Sequence, residues 1–127
     1  MNVDDYKSNA VNFLELVVQG KIDEASEKYL DIENGKHHNL FFESGFPHLL
    51  KAMQENQVSF PHKKMIVKNV IGEGNMVAVH GHVIHKPGDL GYILVHIFRF
   101  DNHGKIIEMW DSGQEIQKDS PNEDGPF

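Results

Sequence analysis

The sequence predicts an α+β domain in which N-terminal helices pack on an antiparallel sheet meander. Three observations predict it. Apolar residues recur at helical spacing through the first half, and the period changes to two from about His62. The connections between the period-two segments are also too short to join anything but antiparallel neighbours.

Tyr6, Ala10, Phe13, Leu14, Val17 and Val18 form the stripe of a first amphipathic helix, with Asp4 as its expected cap and Gly20 as its stop. Ile22, Ala25, Tyr29 and Leu30 repeat that spacing in a shorter helix, whose first turn carries Asp23 and Glu24. Residues 31–43 hold no clean period and contain Asn34-Gly35, which predicts a loop. A third helix is expected from Ser44 to Asn56, with Pro47 in its first turn and Phe46, Leu49, Leu50 and Met53 on one face. Strands are expected over 62–71, 76–86, 92–100 and 105–114, separated by Gly72-Glu73-Gly74-Asn75, Pro87-Gly88-Asp89 and Asp101-Asn102-His103-Gly104. The tail from about 118 to 127 is polar and acidic. The whole reads as a single domain over 1–127.

Composition narrows the function. Twelve Lys and Arg against nineteen Asp and Glu give a net charge of −7, which leaves no basic stripe for nucleic acid or an anionic membrane. The absence of cysteine excludes thiol catalysis, Cys-ligated zinc, iron–sulfur clusters and disulfides. No apolar run is long enough to span a membrane, and the acidic start does not resemble a signal peptide, so a cytoplasmic protein is expected. Nine histidines are the notable excess, in a side chain suited to proton transfer and metal ligation near neutral pH.

Hairpin chemistry gives an expected register. A five-residue loop over 87–91 would set Lys86 opposite Tyr92 and His82 opposite His96, with His80 facing Phe98. A three-residue turn closed by Gly104 in a left-handed conformation would set Asp101 opposite Lys105, His96 opposite Trp110 and Glu108 opposite Phe98. One face would then gather His80, His82, His96, Glu108 and Trp110 around Leu94 and Phe98. A one-residue slip in the second turn would take Trp110 and Glu108 off it. The other face, with Val77, Val79, Gly81, Val83, Ile93, Val95 and Ile97, is also apolar, so both faces are expected to be covered.

The runs Val95-His96-Ile97-Phe98-Arg99-Phe100 and Gly104-Lys105-Ile106-Ile107-Glu108-Met109-Trp110-Asp111 resemble the C-terminal signature of SnoaL-like (polyketide cyclase-like) proteins. These belong to the nuclear transport factor 2-like superfamily. Gly74 to His80, Pro87-Gly88-Asp89, His38-Asn39 and the tail from Asp119 to Phe127 are similar to elements of the same family. The resemblance implies a curved sheet wrapped around helices into a cone with an apolar cavity, commonly dimeric through the outer face of the sheet. In the polyketide cyclases it implies an Asp general base on the strand ending Ile-Phe-Arg, assisted by a His fourteen positions earlier. Those positions here are His96 and His82.

The leading functional expectation is acid–base chemistry without a cofactor on a small hydrophobic carbonyl compound: enolisation, aldol cyclisation, isomerisation or dehydration. His82, His96 and His80 are the expected catalytic groups, and His38, Asn39, Phe41, Leu94, Phe98, Glu108 and Trp110 the expected substrate contacts. A non-catalytic ligand-binding or oligomerisation module is one alternative. A three-histidine metal site of His80, His82 and His96 is the other, since Gly74 followed by His80-x-His82 resembles half of a cupin motif. A homodimer binding a small hydrophobic molecule, with neither nucleic acid nor membrane as partner, completes the expectation.

Overall fold

The computed structural model describes residues 1–127. Its elements are α1 (Val3–Val18), α2 (Ile22–Tyr29), β1 (Lys36–His37), α3 (Phe46–Ser59), β2 (Lys64–Glu73), β3 (Met76–Ile84), β4 (Tyr92–Phe100) and β5 (Ile106–Glu115). The α+β order and the four-stranded meander are as expected. The cap of α1 is Asn2 rather than Asp4: the Asn2 side chain accepts from the Asp5 amide while the Asp5 carboxylate accepts from the Asn2 amide, each at 3.0 Å. Inside the expected loop lies β1, which pairs in parallel with β5 through Lys36–Glu108 and His37–Met109. Two residues are too few to show a period.

The five strands are ordered β1-β5-β4-β3-β2, and the helices cover one face. Tyr6, Ala10, Phe13 and Leu14 of α1 are buried, as their spacing predicts. They meet Val77 and Val79 of β3, Phe98 and Phe100 of β4, and Met109 of β5 in one core. Tyr6 stacks on Phe100 with centroids 5.1 Å apart, and Phe13 meets the Phe98 ring edge-on at 5.9 Å. Burying each such ring contributes roughly 1.5–3 kcal/mol. No helix is long and apolar enough to cross a membrane.

Both expected registers need correction. Along β3–β4 the partners are Val83–Tyr92, His82–Ile93, Gly81–Leu94, His80–Val95 and Val79–His96. His96 therefore lies opposite Val79, three positions from His82, and the odd offset turns His82 to the other face. The loop is longer than expected because a tight turn closes between Lys86 and Asp89, and Gly91 then bends the chain at φ 87°. A Cβ on Gly91 would strike the Val83 carbonyl, so the bend is reserved for glycine.

The second turn closes as expected, with the Asp101 amide donating to the Lys105 carbonyl and Gly104 at φ 80°. A β-bulge follows immediately. Phe100 pairs with Ile106 but Arg99 pairs with Glu108, so Ile107 is the extra residue. From there on, His96 faces Asp111 instead of Trp110, and Trp110 faces Ile97. Leu94, His96, Phe98, Met109 and Asp111 share the concave, helix-covered face. His80, His82, Ile93, Val95, Ile97, Arg99, Glu108 and Trp110 share the convex one.

Candidate active site in the cone

Between the helices and the concave sheet lies a cavity of about 220 Å³, with twelve hydrophobic residues among its eighteen lining residues. Phe13, Leu14, Val17 and Val18 come from α1, and Leu49, Ala52 and Met53 from α3. Met65, Val83, Leu94 and Met109 form the sheet side, and Phe42 closes in from the loop after β1. Larger depressions, such as that of about 410 Å³ between Phe60, His85 and Ile116, have fewer apolar walls. The cone cavity is smaller than the ~300–1,000 Å³ of drug-sized sites.

Six polar residues break the apolar lining: Asn39, Asn56, Lys63, His85, His96 and Asp111. His96 and Asp111 are direct cross-strand partners. The His96 imidazole lies parallel to Phe98, with centroids 5.9 Å apart and 3° between planes. Burial pushes the pKa of His96 below its ordinary value, and the Asp111 carboxylate works against that shift without overcoming it. That lowering favours the neutral imidazole, and His96 lines the cavity.

A chain of hydrogen bonds fixes the carboxylate. Buried His37 bonds through Nε2 to the Glu43 carbonyl at 2.8 Å and accepts at Nδ1 from the Asn39 amide at 3.1 Å, so its Nε2–H tautomer satisfies both contacts. Asn39 in turn accepts at Oδ1 from the Phe41 amide at 3.0 Å and donates from Nδ2 to Asp111 Oδ2 at 3.2 Å. The parallel pairing of β1 with β5 brings this segment beside Asp111.

At the side of the cavity nearer β2, the Lys63 ammonium donates to Asn56 Oδ1 at 2.9 Å. Burial lowers the pKa of Lys63. His85 packs between Phe60 and Tyr92, at 4.6 and 5.3 Å. Its pKa is lowered chiefly by burial, then by the charge of Lys63, with Asp89 opposing.

Of the expected site residues, His96, Asn39 and Leu94 line the cavity, and Phe98 is wholly buried beneath His96. Phe41 is 92% exposed and does not line the cavity. The expected cluster of three imidazoles does not form, because His80 and His82 lie on the convex face. There His80 Nδ1 meets Asn69 Nδ2 at 3.1 Å, His82 Nε2 donates to the Leu90 carbonyl at 2.7 Å, and both rings pack on Phe127. The alternative metal set of His80, His82 and His96 is likewise divided between opposite faces, and no other group of three or more His, Asp or Glu is placed to hold a metal ion.

His38, Glu108 and Trp110 also lie outside the cavity and form a cluster of their own. The His38 ring stacks on Trp110 at 5.1 Å, and its Nε2 meets Glu108 Oε2 at 2.7 Å. Arg99 Nε donates to Glu108 Oε1 at 3.3 Å, and its guanidinium lies over the Trp110 ring. The hydrogen bond from His38, seconded by Arg99, holds the Glu108 carboxyl below the usual range. Sequence reasoning missed Asp111, Lys63, Asn56, Phe42, His37 and His85 as site residues. Only Asp111 carried a signal, as the last residue of the quoted motif.

No protein-family model and no curated protein matches the sequence. Solved structures do match. A candidate ketosteroid isomerase from Kribbella flavida superposes with a TM-score of 0.73 at 15% identity, covering 94% of this chain and 85% of that one. A SnoaL-like protein of unknown function from Burkholderia thailandensis gives 0.73 at 10% identity, with 90% and 99% covered. AclR, a candidate hydroxylase from Streptomyces galilaeus, gives 0.72 at 20% identity, with 88% and 90% covered. The chain therefore has the cone fold of the SnoaL-like, nuclear transport factor 2-like proteins.

Proposed function

We propose that this chain is a SnoaL-like acid–base catalyst that enolises a small hydrophobic carbonyl compound inside the cone, without a cofactor. One observation carries the reading: the His96 imidazole lines an apolar cavity with the anchored carboxylate of Asp111 directly across from it. In the first step His96 takes a proton from the carbon beside the carbonyl. The C–H electron pair moves into the enolate, and the negative charge settles on the carbonyl oxygen. The charge of Asp111 stabilises the imidazolium that forms. Return of the proton to another carbon gives isomerisation, whereas attack of the enolate on a second carbonyl gives aldol closure. The superposed structures support the reading at the level of fold, which hosts many reactions.

The test is hydrogen–deuterium exchange at the α-carbon of a panel of small aryl and cyclic ketones in D₂O, followed by NMR. Exchange above the protein-free rate, lost in His96→Gln, is expected. Ketones that bind without any exchange would replace this reading with a non-catalytic binding module.

The proposed assembly is a homodimer through the convex face, and the proposed setting is the cytoplasm. Ile66 and Ile71 are 45% and 67% exposed on β2, on the same face as the half-buried Ile93, Val95 and Ile97. Light scattering should return twice the chain mass of 14.5 kDa. A single-chain mass would refute the dimer.

A further inference from the structure

Lys63 is the charged residue that the proposed chemistry does not use. It is only 9% exposed, lines the cone cavity and makes no ion pair. Its one hydrogen-bond acceptor is the neutral amide oxygen of Asn56. An ammonium carries three protons, so two are left without a protein acceptor beside a largely apolar space. Keeping a cation there is costly unless an anion shares the site. The neighbouring His85 offers no negative charge, Asp89 on the other side of His85 makes no ion pair with Lys63, and the anchored carboxylate of Asp111 comes from β5, at the far side of the meander from β2. The isolation is conspicuous in a chain that carries seven more acidic than basic residues.

We infer that Lys63 and Asn56 form an anion subsite, and that the compound admitted to the cavity carries a carboxylate on an apolar body. This rests on the cavity being a small-molecule site, and it names the class of that molecule. The carboxylate accepts the two free Lys63 protons in charge-assisted hydrogen bonds, while Asn56 holds the ammonium from behind. The apolar body lies along Met65, Val83 and Leu94. Lys63 thereby fixes which end of the ligand points toward β2 and which reaches His96.

The test compares cinnamate with cinnamamide, which share a body and differ in charge, by isothermal titration calorimetry at neutral pH. Cinnamate should bind about ten-fold tighter or better. In Lys63→Met that preference should vanish while the amide binds as before. Reductive methylation of the wild-type protein, mapped by mass spectrometry, supplies a readout that needs no variant: cinnamate should shield Lys63 and cinnamamide should not. Equal affinity for the two compounds, or a preference that survives Lys63→Met, overturns the subsite and leaves the enolisation reading standing. Binding of neither compound overturns the subsite together with the small-molecule reading of the cavity.

Discussion

His96 of β4 and Asp111 of β5 face each other across the strand pair on the concave side, with Asn39 bonded to the carboxylate at 3.2 Å. The proposed base, the carboxylate proposed to stabilise its protonated form and the side chain bonded to that carboxylate thus come from β4, β5 and the loop after β1. Their roles separate under mutation.

His96→Gln keeps the volume and much of the polarity of the ring but removes the proton acceptor. Ketone exchange in D₂O should fall by roughly 100-fold or more, the contribution of a positioned general base. His82→Ala, on the convex face, should leave the exchange rate unchanged. An intact rate in His96→Gln would remove His96 from the chemistry.

Asn39→Leu preserves shape and removes the hydrogen bond to Asp111. Loss of such an orienting partner costs on the order of 10-fold in rate. The acid limb of the pH–rate profile should shift as well, because the freed carboxylate changes the field at His96. A slower rate with an unmoved profile would assign Asn39 to packing alone.

The lowered pKa of His96 makes a statement about stability. As pH falls through about 6.5, the ordinary histidine value, the unfolded chain takes up a proton that the folded chain still refuses. The contribution of the neutral ring is complete above that value and is lost as pH falls toward the depressed folded pKa. His85 behaves in the same way. Urea midpoints measured across this window should drop less steeply for His96→Leu than for the wild type. Parallel curves would show that His96 is not desolvated.

Gly91→Ala places a methyl group at φ 87° against the Val83 carbonyl. Urea denaturation should register a loss of about 2 kcal/mol or more from conformation and collision together. A neutral result would mean that the loop before β4 adopts another path.

The helices and strands were legible in the sequence because each buries one face, and the periods of 3.6 and two are direct traces of that burial. The side-chain constellation was less so. Hairpin register depends on where a loop chooses to close and on whether a bulge follows. Neither the Lys86–Asp89 turn nor the extra Ile107 leaves a periodic mark. An offset of three at His96 and of one at Asp111 exchanged His82 for Val79 and Trp110 for Asp111. Lys63 and Asn56 were invisible for a different reason: a lysine next to Lys64 at the start of an expected strand looks like surface until the cavity is built around it.

The bulge at Ile107 also governs how β5 can change in length. Above it, Ile106 points inward with Phe100; below it, Met109 and Asp111 point inward with Phe98 and His96. Deleting Ile107 would straighten the strand and leave every downstream side chain on its present side. Losing a residue between Glu108 and Trp110 would instead turn Asp111 out to the convex surface and strip the cavity of its carboxylate. Among descendants of this sequence, a gap at position 107 is compatible with a working cone, and a gap two residues later is not.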